Sequence, residues 1–133
     1  MLAALIARGT TGRGQVVDAA MVDGAAHLFT MVHGLLGTGA WRDEREANLL
    51  DGGAPFYAVY ECADGKFVAV GALEPEFWAE LVTGLGIDLP GEQYDPGTWE
   101  AQRAAFAAAF RTRSRDEWAE HFEGTDALSL IHI

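Results

Sequence analysis

The chain has 133 residues, half of them hydrophobic and 22% charged, which fits one packed domain or a piece of a larger protein and argues against disorder. Nine basic against twenty acidic residues leave a formal net charge of −11. Such a field repels nucleic-acid phosphates and anionic lipid, so neither is an expected partner. No apolar run reaches the roughly 18 residues of a membrane span, and the single cysteine, Cys62, excludes an intrachain disulfide and points to a reducing, cytoplasmic setting.

The opening Met1–Arg8 is short and apolar with no basic residues ahead of it, and reads as the last turns of a helix ended by Gly9 and the Thr10–Gly14 turn cluster. Gln15–Ala20 follows a Gly-rich turn and is expected as a short strand. Met21, Ala25, Leu28, Val32 and Leu35 recur at helical spacing, so a long helix is expected over 21–36. Its near lack of charge predicts burial on more than one side, in a core or against a partner. Residues 40–54 read as a long loop, charged at Arg42–Glu46 and rich in breakers at Asp51–Pro55.

Phe56–Cys62 and Lys66–Val70 are β-rich runs around Ala63-Asp64-Gly65, a strong hairpin signal. The second run leads into Gly71-Ala72-Leu73-Glu74-Pro75, where Pro75 suits the first position of a helix and Glu74 sits at its positive end. Phe77, Trp78, Leu81, Val82 and Leu85 give that helix its apolar face, and the breaker-rich 87–97 reads as a connection. Trp99, Arg103, Phe106 and Phe110 share a stripe of an Ala-rich helix. Ser114-Arg115-Asp116-Glu117 matches a capping box ahead of Trp118 and Phe122. One hairpin is marginal alone, so its strands are expected to need partners.

Most chemical motifs fail. Gly9–Gly14 lacks the phosphate-loop order, and no pair of histidines has metal-ligand spacing. His27 and His33 read as packing positions and His121 as solvated. Glu74 reads from its position as a helix-capping acid, Tyr57 as a half-buried strand aromatic or a pocket group, and Asn48 and Asp51 as loop polarity or cleft lining.

Three stretches together carry a resemblance: Gly12–Gly24, the Gly-Ala-Pro-Phe-Tyr of residues 53–57 with the Tyr60–Gly65 turn, and Gly71–Phe77. They resemble the α-methylacyl-CoA racemases of the family III CoA-transferase superfamily, over nearly the whole chain up to Ala127. The resemblance implies an α/β fold: residues 1–36 as the C-terminal part of the large nucleotide-type domain (strand plus long helix), 37–53 as a linker loop, and 54–127 as a small domain of hairpin and helices. It implies epimerisation at the α-carbon of 2-methyl-branched acyl-CoA thioesters, in fatty-acid metabolism, with no metal or redox cofactor and CoA as the carrier part of the substrate. It implies an interlocked homodimer. The catalytic His and Asp of the family correspond to segments upstream of this chain. Glu74 matches the glutamate that hydrogen-bonds the catalytic His, and Tyr57 a tyrosine lining the same site.

The chain departs from the family pattern at both ends. Met1 falls inside what resembles a helix of the large domain, so a fragment, inactive alone, is expected. Residues 128–133 replace an expected β-rich continuation and read as a non-native tail, with His132 excluded from any site. A CoA-transferase of the same superfamily and a non-enzymatic helical binding module are the alternatives.

Overall fold

A computed structural model describes residues 1–127 and the backbone of Ser129–Leu130. The expected non-native tail therefore falls partly outside the described residues, at Leu128 and 131–133, and His132 lies among them. The chain divides into two units, Met1–Trp41 and the residues from Arg42 onward, with the boundary inside the expected 37–53 linker.

The first unit holds three helices. Helix α1 (Leu2–Thr11) runs through Gly9 and ends at Gly12, whose left-handed φ of 67° closes the last turn. The end falls inside the expected Thr10–Gly14 cluster and not at Gly9: glycine weakens a helix interior without ending it, and the αL position at Gly12 does the ending. Gln15–Ala20 is not a strand. It is irregular and largely exposed, with Val16 at 94%, because no strand among the described residues lies beside it to complete a ladder.

The expected long helix is two, α2 (Met21–Leu28) and α3 (Thr30–Gly37), broken at Phe29, where φ is −84° and ψ 5°. The Thr30 hydroxyl donates to His27 O at 2.5 Å, a local bond that competes with the regular helical ladder. Neither helix has a buried residue, so of the expected burial in a core or against a partner the first is not found within this chain; only Val32 and Leu35 are half-buried.

The second unit has its own core. Strands β1 (Tyr57–Glu61) and β2 (Phe67–Gly71) form the antiparallel hairpin, with Tyr57 opposite Gly71 and Tyr60 opposite Val68. Gly65 takes the φ of 74° that the turn requires. Strand β3 (Ser129–Leu130) pairs with β2, giving the order β1-β2-β3. Alternation along the ribbon sends Tyr60, Val68 and Val70 inward and leaves Tyr57, Val59 and Phe67 exposed on the other face.

Helices α4 (Pro75–Leu85), α5 (Trp99–Phe110) and α6 (Arg115–Phe122) supply the rest of the core. Phe106 and Phe110 are fully buried, their rings 5.8 and 5.3 Å from that of Tyr60. Trp118 meets Phe110 edge-on and donates its indole N–H to Phe110 O at 2.9 Å. The expected capping box forms in full: Glu117 N donates to Ser114 Oγ, and Ser114 N donates to the Glu117 carboxylate at 2.8 Å. This mixed architecture, helices with a small antiparallel sheet, agrees with a fragment of a family III CoA-transferase fold. Among the described residues, no helix is long and apolar enough to cross a membrane.

Candidate functional site

The outer face of the hairpin carries a cleft of about 660 Å³. Tyr57 and Gly71 lie on its floor as cross-strand partners, and Gly71 adds no side chain of its own beside the tyrosine ring. Tyr57 is 38% exposed. Among the described residues its hydroxyl has no hydrogen-bond partner. The wall is built by Leu50, Asp51 and Gly52, with Arg103 of α5 beside them.

That wall belongs to the loop from Arg42 to Gly53, which has no regular structure yet is tightly organised. Asn48, only 5% exposed, accepts from Arg42 N at 2.7 Å and donates through its amide to Arg42 O at 3.0 Å and to Asp51 Oδ2 at 2.7 Å. Asp51 also accepts from Asn48 N at 2.8 Å and Gly53 N at 3.1 Å. Burial alone raises the pKa of the Asp51 carboxyl, but the hydrogen bonds from Asn48, Gly53 and Ala47 outweigh it and hold the group below its ordinary value. Asp51 thus lines the cleft, whereas Asn48 is the buried pin of the loop that forms it.

At Gly53 the chain passes so near itself that a Cβ would stand 2.5 Å from both Asn48 N and Asn48 O. Arg103 joins this loop to α5: its guanidinium donates to Gly52 O and, at 3.0 Å, to Gly53 O.

Glu74 sits at the N-cap of α4, with extended φ and ψ of −70° and 142°. The capping expectation is corrected here: the side chain accepts no hydrogen bond from the helix. The carboxylate is exposed, and among the described residues it has neither a hydrogen bond nor an ion pair. Pro at N1 already removes one orphan N–H, so the helix start tolerates an uncapped end. The backbone just ahead of Glu74 is held firmly. Gln93, 6% exposed, donates to Ala72 O at 3.1 Å and Leu73 O at 2.8 Å, and the Tyr94 hydroxyl donates to Leu73 O.

Tyr57 and Glu74 are therefore joined through one short stretch of chain, since Gly71, opposite Tyr57, lies three residues before Glu74. Glu74 does not itself line the cleft. His27 and His33, expected as packing positions, are exposed instead. His121 is exposed as expected, its Nε2 2.8 Å from Gly84 O. Among the described residues no cluster of three or more His, Cys, Asp or Glu side chains is arranged to hold a metal.

Sequence reasoning missed Arg103, Gln93 and Tyr94 as supports of this region. Arg103 was legible only as one member of a helical stripe, and Gln93 only as part of a connection. Their partners lie about fifty and twenty residues away and are backbone carbonyls, which leave no residue-type signal.

The model of CoA-transferase family III matches residues 1–129. The α-methylacyl-CoA racemase of Mus musculus is 45% identical over 127 residues, covering 93% of this chain and 33% of its own length. That of Homo sapiens is 43% identical over 130 residues, covering 96% of this chain and 34% of its own. A CaiB/baiF CoA-transferase family protein of Caenorhabditis elegans is 32% identical over 127 residues, covering 95% and 36%. The chain thus spans about a third of the length of these curated relatives. With a family match that runs through both units and every element of the outer-face cleft, the chain belongs to CoA-transferase family III.

Proposed function

We propose that the chain supplies the small-domain side of a site that racemises the α-carbon of 2-methyl-branched acyl-CoA thioesters, removing a proton from one face and returning one to the other. An α-proton beside a thioester is weakly acidic, so the reaction needs a base and an acid on opposite faces and a stabilised enolate. In this reading the His and Asp that move the proton stand on a segment outside this chain, and CoA is part of the substrate. Glu74 is a positioning residue that hydrogen-bonds that His, fixing its tautomer and favouring its charged form. Tyr57 lines the acyl side. The complete protein is a cytoplasmic homodimer in which the small domain faces the other subunit's large domain.

The observation that carries the reading is the state of Glu74. Among the described residues its carboxylate caps nothing and pairs with nothing, while the backbone just ahead of it is braced by Gln93 and Tyr94. An exposed carboxylate that follows a braced stretch of backbone, without a partner among the described residues, is suited to a partner from elsewhere. The racemase names of two relatives supply the reaction class.

The test is α-proton exchange of a 2-methylacyl-CoA into deuterated water. The 133-residue chain alone should exchange no faster than buffer. Fused behind the preceding segment of the mouse racemase it should exchange, and Glu74→Gln in that fusion should slow exchange by about 100-fold or more, the scale of acid–base assistance. Exchange by the chain alone, or an indifferent Glu74→Gln, refutes the assignment. A CoA-transferase is the second reading, favoured by the family description and the nematode relative. It predicts CoA passing from one acid to another with no deuterium at the α-carbon.

A further inference from the structure

We propose that Arg103 is a positioning residue that fixes the width of the outer-face cleft and thereby its preference for an α-branched over a straight acyl chain. The inference rests on the reading of that cleft as the acyl side of an acyl-CoA site. Among the described residues, the two bonds from the Arg103 guanidinium to Gly52 O and Gly53 O are the hydrogen bonds that tie the loop from Arg42 to Gly53 to a helix. The Asn48 and Asp51 bonds shape the loop but stay inside it. Among the described residues Arg103 has no carboxylate within ion-pair distance, so its charge is committed to those two carbonyls. Such charge-assisted bonds are among the stronger ones available.

The opposite end of this link is equally defined. Helix α5 presses Phe106 and Phe110 on Tyr60 of β1, and Tyr57 stands three residues earlier on the same strand, on its outer face. Both sides of the cleft are therefore referred to one rigid body: the floor through β1, the wall of Leu50 and Gly52 through Arg103. A planar guanidinium with two carbonyls on one nitrogen sets the gap between them. An α-methyl group changes the width of an acyl chain by one carbon, and a pocket of fixed width discriminates that by about 10- to 200-fold, whereas a loose one does not.

The test uses the fusion of this chain behind the preceding segment of the mouse racemase, its Arg103→Met and Arg103→Lys variants, and two probes: 2-methyldecanoyl-CoA and decanoyl-CoA. Binding is followed by NMR at Leu50 and Tyr57, and loop order by amide exchange at Asn48 and Gly53. Arg103→Met should raise exchange at both amides by about 10-fold and lower the branched-to-straight affinity ratio by at least about 5-fold, toward one. Arg103→Lys, which keeps the charge but not the planar fork, should fall between, and it decides the matter if the Met variant does not fold.

Unchanged amide exchange in a folded Met variant overturns the clamp. Faster exchange with an unchanged ratio makes Arg103 merely structural and overturns the width claim. If wild type binds neither thioester, the acyl-CoA reading fails and the width claim with it; the exchange arm then still shows whether the clamp exists, so the two failures are told apart.

Discussion

Replacing Gly53 by alanine tests the self-contact that shapes the cleft wall. The added Cβ would lie 2.5 Å from Asn48 N, 2.5 Å from Asn48 O and 2.8 Å from Ala47 C, where ordinary contact begins at 3.4 Å, so about 0.9 Å of backbone movement is needed. Asn48 resists that movement through its bonds of 2.7 Å from Arg42 N, 2.8 Å to Asp51 Oδ1 and 2.7 Å to Asp51 Oδ2. Releasing two such bonds, each worth about 1.5 kcal/mol with a charged acceptor, makes loop opening easier by about 3 kcal/mol. At about 1.4 kcal/mol per decade that is about a 100-fold loss of amide protection.

The assay is hydrogen exchange at the amides of Asn48 and residue 53, with Phe106 and Phe110 as core references that should stay slow. Gly52→Ala is the control: its φ of 95° is strained for alanine, but its Cβ meets only Glu46 Cγ at 3.5 Å. Its effect should be smaller, about 1–2 kcal/mol of backbone strain. Protection in Gly53→Ala within about 3-fold of wild type, less than 1 kcal/mol, would refute the close-approach reasoning.

Phe106→Ala empties a fully buried site between α5 and Tyr60 and should lower stability by about 3–5 kcal/mol, read as a fall in the urea midpoint. Ser114→Ala removes the capping box and should destabilise by about 1 kcal/mol, with Ser114→Asp recovering most of it. Asp51 has a folded pKa below its unfolded one, so the stability it contributes is complete above the unfolded value near 3.9 and is lost as pH falls through the lowered folded value. Urea titrations between pH 2 and 6 should therefore show an acid limb that flattens in Asp51→Asn, and an unchanged limb would contradict that role.

What was legible in the sequence was local. The Asp-Gly turn, Pro75 at a helix start and the Ser114–Glu117 box are each determined by neighbours within four residues, and each appears where expected. The failures have one cause as well. The strand over Gln15–Ala20 and the buried helix over 21–36 were inferred from apolar character, which states that a surface wants cover but not that cover is present. Of the two residues named from the sequence for the site, Tyr57 lies on the cleft floor and Glu74 outside its lining, and the supports of the cleft were illegible. Asn48 looked like loop polarity because its partners are main-chain groups and one carboxylate brought near by a fold-back. Arg103 looked like one more residue of an amphipathic stripe.

The hairpin is moored at both extremities. At its tip Ala63 N donates to Arg113 O at 2.9 Å and Asp64 accepts from Arg115 N at 3.2 Å. At its root Ala72 N donates to Phe56 O at 3.0 Å and the Tyr60 hydroxyl to Pro55 O at 2.5 Å. A ribbon fastened this way acts as a strut rather than a flap, with little freedom to hinge about either end. Whatever approaches Tyr57 meets a surface fixed at both ends, so an opening or closing motion there would fall to the approaching body and not to the ribbon.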